Sequence, residues 1–451
     1  MELVYGIKDR PSLGKVFLFA VQQLLAIMAA TIAVPAIVGN GLTASAALFG
    51  AGVGTFIYLI FTKSASPVFL GSSFAFIGSM FSAFGGAASV SIGYWGLIIG
   101  ALMAGLVYII IAVAVKFCGV HWIDKLMPPV IIGPTVAIIG LSLAGNAIGD
   151  LMKSNIEGGS SYVALVCGLF TLFVTMMCST YGSKIGKLIP FIQGILAGYA
   201  AASIFAVIGH ATGNSSLIVI NYTALTSLDF SKLSAYFSLP QFTFLLGGSE
   251  GLKGITGSYL LTIFAAYVPV AFVVFAEHLA DHKNLSAIVG VNLLEEPGLT
   301  RTLLGDGVGT IVSTLFGGCP NTTYGESIGC VAITRNASTI SIWGCAILCI
   351  VFSLLTPLVA FLETIPSCVM GGVCVSLYGF IAVSGLKMFQ QVDLNRNRNL
   401  FVASVILITG VGGMVVKFGK VEIRTVACAL ILGIVTNLLL SKNDNKETKT
   451  E

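Results

Sequence analysis

Charged residues are scarce in this chain of 451 residues. Asp, Glu, Lys and Arg make up 9% of it, whereas soluble domains carry about 25%. Hydrophobic residues make up 56%. Such a composition excludes an ordinary soluble domain, so it indicates a protein that crosses the lipid bilayer several times.

Motifs for metal binding and covalent catalysis are lacking as well. The ten cysteines contain no CxxC pair and no zinc-ligand spacing, and most lie in apolar segments, so we interpret them as small buried apolar residues. There is no HExxH motif, and no GxSxG motif in a suitable context. The sequence therefore predicts no enzyme, no cofactor and no metal site. Basic residues are scattered through short loops, and no nucleic-acid partner is expected.

Apolar segments are abundant, and fourteen of them are candidates for membrane spans, which need about 20 apolar residues each. They lie near residues 15–38, 44–62, 67–84, 92–117, 128–149, 161–180, 187–209, 258–282, 303–318, 323–335, 338–362, 367–386, 400–416 and 423–440. Lys and Arg favour cytoplasmic loops, and a cytoplasmic N-terminus places 17 of the 23 there. The same orientation places the C-terminus in the cytoplasm and residues 211–257 outside.

Two polar interruptions break the apolar sequence. One runs from Cys319 to Gly329 and includes Glu326, and the other runs from Ser66 to Phe74. Irregular backbone at membrane depth survives only where it is buried in protein or lines a cavity, and a carboxylate there marks a functional site. A pair of broken segments, one in each half of the chain, is typical of a transporter's substrate site.

A weak internal repeat accompanies the interruptions. The stretch 128–133 opens the fifth segment with proline and ends in glycine, and 366–371 does the same in the twelfth. The broken third and tenth segments match in the same way. Since seven spans separate the partners, the second half must be inserted upside-down relative to the first, as in transporters with inverted repeats.

Two carboxylates at membrane depth lie close together in the sequence. Glu277 and Asp281 are four residues apart and share one face of a helix. They repel each other and burial disfavours their charged forms, so at least one can bind and release a proton, as a proton-coupled carrier requires. The alternatives are a hydrated Asp281 at the cytoplasmic interface and a purely structural hydrogen bond for Glu277.

Other polar residues at depth have simpler interpretations. His278 lies on a different face from Glu277 and is interpreted as a packed or helix-bonding histidine, and His282 as an interfacial one. Asp306 lies in a glycine-rich stretch that lacks a preceding strand and a GK[ST] ending. We interpret it as part of a glycine-packed helix and as its N-terminal cap.

The tenth segment predicts ligand-binding groups. A helix that restarts at Gly325 directs unpaired N–H groups into a cavity, and a short helix that starts near Ser72, Ser73 and Phe74 does the same. These groups can donate to carbonyl oxygens of a ligand. Glu277 and Glu326 can accept from its N–H groups, while Phe74 and Tyr324 supply flat apolar surfaces. Such a site suits a small planar molecule with N–H and C=O edges better than a sugar or a bare metal ion. The alternative is that Glu326 caps its own helix and binds nothing.

These residues resemble the nucleobase–ascorbate transporter family, most closely its bacterial uracil:proton symporter branch. The resemblance extends from Gln22 to about Leu440. It rests on the motifs LGSSFAF at 70–76, AEH at 276–278, EPGL at 296–299, PNTTYGE at 320–326 and AITR at 332–335.

The resemblance implies an all-α polytopic membrane protein with fourteen transmembrane segments in two inverted seven-segment repeats. Short strands are expected in the broken third and tenth segments. A core domain is expected at 1–120 and 258–364, a gate domain at 121–210 and 365–440, an extracellular loop at 211–257 and a cytoplasmic tail at 441–451. The family also implies a homodimer whose core moves against the gate in an elevator-like manner.

The implied function is proton-coupled secondary active import of uracil across the plasma membrane, the bacterial inner membrane. By resemblance, Glu277 and Glu326 hydrogen-bond the pyrimidine ring, Phe74 and Gly325 contribute backbone groups, and Tyr324 lies beside them. Glu277, with Asp281, would take up the proton.

Two positions depart from the uracil branch. Asp281 stands where uracil carriers have histidine, and Ser327 stands where they have asparagine. An aspartate at the first position is common in purine-type relatives, so xanthine or another oxopurine is the alternative substrate. Glu326 favours uracil, because xanthine-type relatives carry glutamine there. A less favoured alternative is an anion transporter of the same fold, in which Glu326 would repel the anion.

Overall fold

The computed structural model describes residues 3–119, 121–390, 392–418 and 421–447, and most of these residues are helical. Within those ranges, eight helical stretches are long and apolar enough to cross a membrane. Shorter apolar helices occupy Thr339–Leu354, Asn397–Val411 and Thr425–Ser441. Each of the fourteen predicted segments contains a helix. How many of them cross the bilayer stays a prediction.

The described residues of the first half of the chain form ten helices and one strand. They are α1 (Leu13–Val38), α2 (Ala44–Phe61), β1 (Leu70–Ser72), α3 (Ile77–Gly85), α4 (Val90–Cys118), α5 (His121–Leu126), α6 (Pro129–Ser142), α7 (Ala144–Leu151), α8 (Ser161–Tyr181), α9 (Lys184–Leu188) and α10 (Pro190–Thr212). Hydroxyl caps start several long helices. For example, Thr43 Oγ1 accepts from Ala46 N, and Ser89 Oγ accepts from Ile92 N.

The connection between the halves is partly helical rather than an open loop. It contains two short 3₁₀ turns, Ser215–Leu217 and Leu233–Ala235, and the helices α11 (Thr223–Thr226) and α12 (Thr243–Lys253). Helix α12 packs against α4, where Trp95 Nε1 donates to the carbonyl oxygen of Gly248 at 2.8 Å. The sequence did not predict this contact, because residues 211–257 were interpreted as an extracellular loop.

The second half begins with the longest helix. Its elements are α13 (Gly257–Val289), a helical turn at Leu294–Gly298, α14 (Leu299–Gly317), β2 (Asn321–Thr323), α15 (Gly325–Thr334), α16 (Thr339–Leu354), α17 (Thr356–Glu363), α18 (Ser367–Phe389), α19 (Asn397–Val411), β3 (Val416–Phe418), β4 (Val421–Ile423) and α20 (Thr425–Glu447). The β3–β4 hairpin pairs Val416 with Ile423 and was not predicted. Helix α20 continues into the predicted tail.

Glycines let several helices approach backbone to backbone. A β-carbon on Gly50 of α2 would lie 2.6 Å from Ser313 O of α14, and one on Gly140 of α6 would lie 2.2 Å from Tyr378 O of α18. Strand β1 pairs with β2. These contacts join the second predicted segment to the ninth, the third to the tenth and the fifth to the twelfth.

Apolar side chains cover the outer surface of α8 and α10. Only about a third of the residues in the apolar stretch of each helix are buried. On α8 the exposed large side chains are Tyr162, Val166, Phe170, Phe173, Met176, Met177 and Tyr181. An apolar surface of this size fits contact with lipid or with another membrane-embedded chain.

Candidate functional site

The two polar interruptions meet as a pair of short antiparallel strands. Leu70 pairs with Thr323, and Ser72 pairs with Asn321. The ladder is extended at both ends, since Ser73 N donates to Pro320 O at 2.8 Å and Tyr324 N donates to Phe69 O at 3.2 Å. All six strand residues are buried. Pairing therefore satisfies backbone groups that could not face lipid, and the predicted strands are confirmed.

A half-helix follows each strand. Helix α15 begins at Gly325, as predicted, while α3 begins at Ile77, a few residues later than expected. The delay has a local cause, because the backbone first makes a turn in which Ile77 N donates to Phe74 O at 3.2 Å. Gly325 is exposed, and nothing lies within 4 Å of the position where its β-carbon would be. The N–H groups in the first turn of α15 are thus accessible to a small ligand.

The predicted carboxylates come together in one cavity of about 320 Å³. Glu277 and Asp281 line it from α13, and Glu326 lines it from the first turn of α15. Asp281 Oδ2 accepts a hydrogen bond from Thr323 Oγ1 at 2.7 Å. Glu277 Oε2 is buried without a hydrogen-bond partner among the described residues. A buried acceptor of this kind matches a ligand N–H.

Two aromatic residues complete this side of the cavity. Tyr324 is 3% exposed, and its hydroxyl donates to Ser72 O at 2.8 Å. Phe74 packs edge-on against Tyr378 of α18, with ring centroids 5.5 Å apart. All five residues predicted to bind the substrate, Phe74, Glu277, Tyr324, Gly325 and Glu326, line the same cavity together with Asp281.

Other lining residues of the cavity come from a different group of helices. They are Val136 of α6, Ser179 of α8, Lys187 of α9, Pro190 and Phe191 of α10, and Phe380, Ile381 and Ser384 of α18. Lys187 is exposed, so the cavity reaches the protein surface at that end. The site thus lies between two sets of elements rather than within one.

A second cavity lies farther along the same boundary. It has a volume of about 630 Å³ and contains none of the predicted site residues. Helix α1 lines the smaller cavity with Ala26 and the larger one with Ile32, and α18 does so with Phe380 and Cys374. The two cavities therefore lie at successive levels along these helices. Asp150 and Lys153 also line the larger one.

A buried polar cluster lies behind the site. His278 Nδ1 lies 2.7 Å from Asp306 Oδ2, and its Nε2 lies 3.0 Å from Thr302 Oγ1. His282 Nε2 lies 2.8 Å from the Tyr58 hydroxyl. The two histidine rings stack with centroids 4.1 Å apart. The packed interpretation of His278 is confirmed.

Two interpretations of this cluster were wrong. Asp306 is not an N-terminal cap, because α14 already begins at Leu299 and places Asp306 about two turns inside the helix. His282 is fully buried rather than interfacial. The reason is that α13 continues to Val289, about two turns beyond it.

Ser327, one of the two departures from the uracil branch, lies behind the site. Its hydroxyl accepts from Gln23 Nε2 of α1 and from Phe69 N at 2.9 Å. It does not line the cavity, whereas Asp281, the other departure, does. Sequence reasoning missed the roles of Gln23, Ser327 and Thr323. A polar Gln23 within an apolar helix was the available signal.

No three His, Cys, Asp or Glu side chains of the described residues are placed to hold a metal ion. All ten cysteines are free thiols, and eight of them are buried. The site therefore offers hydrogen bonds and flat apolar surfaces, with three carboxylates as its distinguishing chemistry.

Known proteins are similar to this chain in sequence or in fold. A uracil permease of Bacillus caldolyticus is 38% identical over 442 residues, which cover 97% of this chain and 94% of that protein. A uracil permease of Bacillus subtilis (strain 168) is 36% identical and covers 99% and 97%. The transmembrane domain of the cyanobacterial bicarbonate transporter BicA is similar in fold, with a TM-score of 0.59, 15% identity and coverage of 95% and 98%.

The family match is equally extensive. The Permease family matches residues 14–418, which is most of the chain. Identity above 30% to uracil permeases over nearly the full length agrees with that match. The chain is thus a multi-pass membrane permease and belongs to the Permease family, the nucleobase–ascorbate transporters.

Proposed function

We propose that this protein imports uracil across the plasma membrane, coupled to proton entry, by elevator-type alternating access. The observation that carries the proposal is the convergence of Glu277, Asp281 and Glu326 on one cavity, beside paired strands and a half-helix N-terminus. The names of the relatives support uracil as the solute.

The chemistry of the cavity suits a pyrimidine. Uracil is small and planar, with N–H donors and C=O acceptors at its edges. Glu277 and Glu326 supply acceptors, the first turn of α15 supplies N–H donors at Gly325, and Phe74 and Tyr324 supply flat surfaces. A volume of about 320 Å³ lies at the small end of ligand cavities, which span roughly 300–1,000 Å³.

The crowding of carboxylates in the cavity supports the proposal of proton coupling. Three like charges in one partly dehydrated cavity repel each other, and burial adds to the cost of charging them. A proton on Glu277, shared with Asp281, reduces that repulsion and favours uracil binding. Release of uracil and proton to the cytoplasm lets the empty carrier return.

The architecture proposed is fourteen segments in two inverted repeats, with core residues 1–120 and 258–364 and gate residues 121–210 and 365–440. Its support is the contact of α2 with α14, β1 with β2 and α6 with α18, each joining segments seven apart. An axis that relates two inverted repeats brings such partners together. The cavity then lies between core and gate.

The proposal of alternating access is supported by the two cavities at successive levels along α1 and α18. With both termini in the cytoplasm, the Lys187 end of the site cavity faces inward and the Asp150 cavity faces outward. The core, carrying the strands and carboxylates, would shift between them against the gate. A homodimer is proposed by family analogy, and an exposed apolar surface such as that of α8 is compatible with it.

The alternative solute is xanthine or another oxopurine. The observation that favours it is the position of Asp281, which lines the cavity itself. An anion is disfavoured by the same carboxylates, although the fold resembles that of a bicarbonate transporter.

The test is uptake of radiolabelled uracil into proteoliposomes with and without an inward-directed proton gradient, in competition with xanthine. Gradient-driven uptake that is lost in Glu326→Gln and retained in Glu250→Gln is expected. Glu250 is the matched control, since it is exposed and pairs with Lys253 at 3.0 Å. Uptake equal with and without the gradient would contradict proton coupling. Xanthine flux without uracil flux would assign the purine alternative.

A further inference from the structure

One buried contact links the proton-binding face of α13 directly to the strand of the site. Thr323 Oγ1 donates to Asp281 Oδ2 at 2.7 Å. Thr323 is 1% exposed and Asp281 is 9% exposed. Both residues line the cavity, and Thr323 immediately precedes Tyr324 and Gly325. The contact therefore joins a titratable group to the backbone segment that carries the ligand-binding groups.

We propose that Thr323 is a positioning residue for transport, whose hydroxyl transmits the protonation state of Asp281 to strand β2 and to the half-helix that follows it. This inference rests on the proposed function. Its physical basis is that a hydroxyl bonds a carboxylate more strongly than a neutral carboxyl group. When Asp281 takes a proton from the water on one side of the membrane, the bond weakens and β2 is held less firmly. When the proton leaves to water on the other side, the bond is restored.

The backbone on both sides of Thr323 is already anchored by other groups. Thr323 is paired with Leu70, and Leu70 is held from α2, since Leu70 N donates to Thr55 Oγ1 at 3.0 Å. Thr310 Oγ1 donates to Asn321 O at 2.7 Å at the start of β2. The strand therefore does not need the Thr323 hydroxyl for its pairing, and that hydroxyl is free to serve Asp281.

Other charged and titratable groups surround Asp281. Glu277 lies on the same face of α13, Glu326 faces it from α15, and Asp306 lies on α14. Tyr58 of α2 also lies near Asp281. Lys187 of α9 lines the same cavity. Because the carboxylates all disfavour a charge on Asp281, a hydroxyl donor is the contact that favours the charged form.

The test is the pH dependence of solute uptake in proteoliposomes for Thr323→Val and Thr323→Ser. Valine keeps the shape of threonine and removes the donor, and serine keeps the donor. Uptake falls as the pH rises and the coupling carboxyls lose their protons. Without the donor, Asp281 holds its proton to a higher pH, so in Thr323→Val this fall is expected about one pH unit higher. A shift of about one unit matches the loss of a hydrogen bond to a charged group. Thr323→Ser is expected to keep the wild-type midpoint.

A structural role alone predicts a different pattern. Thr55→Val also removes hydrogen bonds to the strand pair but does not touch Asp281. It is expected to lower protein stability without moving the pH midpoint. In an Asp281→Asn background, adding Thr323→Val is expected to cause no further shift. If Thr323→Val does not fold, Thr323→Ala removes the same hydroxyl with less crowding and is compared in the same way.

The outcomes separate this inference from the proposed function. A wild-type protein whose uptake does not depend on pH would refute proton coupling and the role of Thr323 with it. A pH-dependent wild type whose midpoint is unchanged in the Thr323 variants would refute the positioning role alone. Should the solute be xanthine rather than uracil, the same profiles are measured with xanthine.

Discussion

The ring of Tyr324 lies directly against the backbone of Gly71, close enough that a β-carbon on the glycine would be 2.3 Å from the ring atoms Cε2 and Cζ. No real side chain fits at that distance, and the Tyr324 hydroxyl is held by Ser72 O. Gly71→Ala must therefore displace the ring from the cavity. We expect it to abolish uracil uptake while the protein remains in the membrane.

Measurement of uptake and membrane content together checks this prediction. Gly85→Ala is the matched control, because nothing lies within 4 Å of the position of its β-carbon at the end of α3. The control is expected to transport normally. Normal transport by Gly71→Ala would show that the ring position is not required.

Glu277→Gln is expected to separate exchange from accumulation. The amide keeps a carbonyl acceptor for the solute but cannot bind or release a proton. Uracil counterflow between equilibrated compartments should persist, whereas accumulation driven by a proton gradient should disappear. Both are measured on the same proteoliposomes, with the exposed loop variant Glu157→Gln as control. Undiminished gradient-driven accumulation in Glu277→Gln would remove Glu277 from the coupling step.

The buried pair His278–Asp306 is expected to support stability. Both side chains are fully buried and 2.7 Å apart. Removing one partner leaves the other as a buried polar group without its hydrogen bond, which costs about 1–3 kcal/mol. Thermal unfolding of Asp306→Ala, His278→Ala and the double variant should give single losses that do not add.

The exposed pair Lys253–Glu250 is the comparison for that measurement, since exposed ion pairs contribute only about 0–1 kcal/mol. Equal effects of breaking the two pairs would mean that burial does not set the strength of the internal one.

One hydrogen bond ties the start of α20 to the half-helix α3. Arg424 Nε donates to Ser82 Oγ at 2.7 Å, and Glu422 lies 3.7 Å from the guanidinium. We expect Arg424→Ala and Ser82→Ala to destabilise the protein, with a coupling of about 1 kcal/mol in a double-mutant cycle, within the range found for contacting residues. Strictly additive losses would show that the contact contributes nothing.

The sequence predicted the features that depend on local composition. Apolar runs marked the helices, and the interruptions around Ser72 and Glu326 marked the strands and the half-helix at Gly325. All five residues predicted to bind the substrate line one cavity. The boundaries around Phe74 and Asp306 were less accurate, because turns and helix starts depend on individual hydrogen bonds.

The amino-acid sequence alone thus establishes a membrane permease with broken segments and carboxylates at depth, since hydropathy and charge act locally along the chain. Only the tertiary structure decides which groups meet. Asp281 bonds Thr323, His278 bonds Asp306, and Ser327 turns away from the cavity toward Gln23. These partners lie far apart in sequence, and the docking of glycine-lined helices sets their distances.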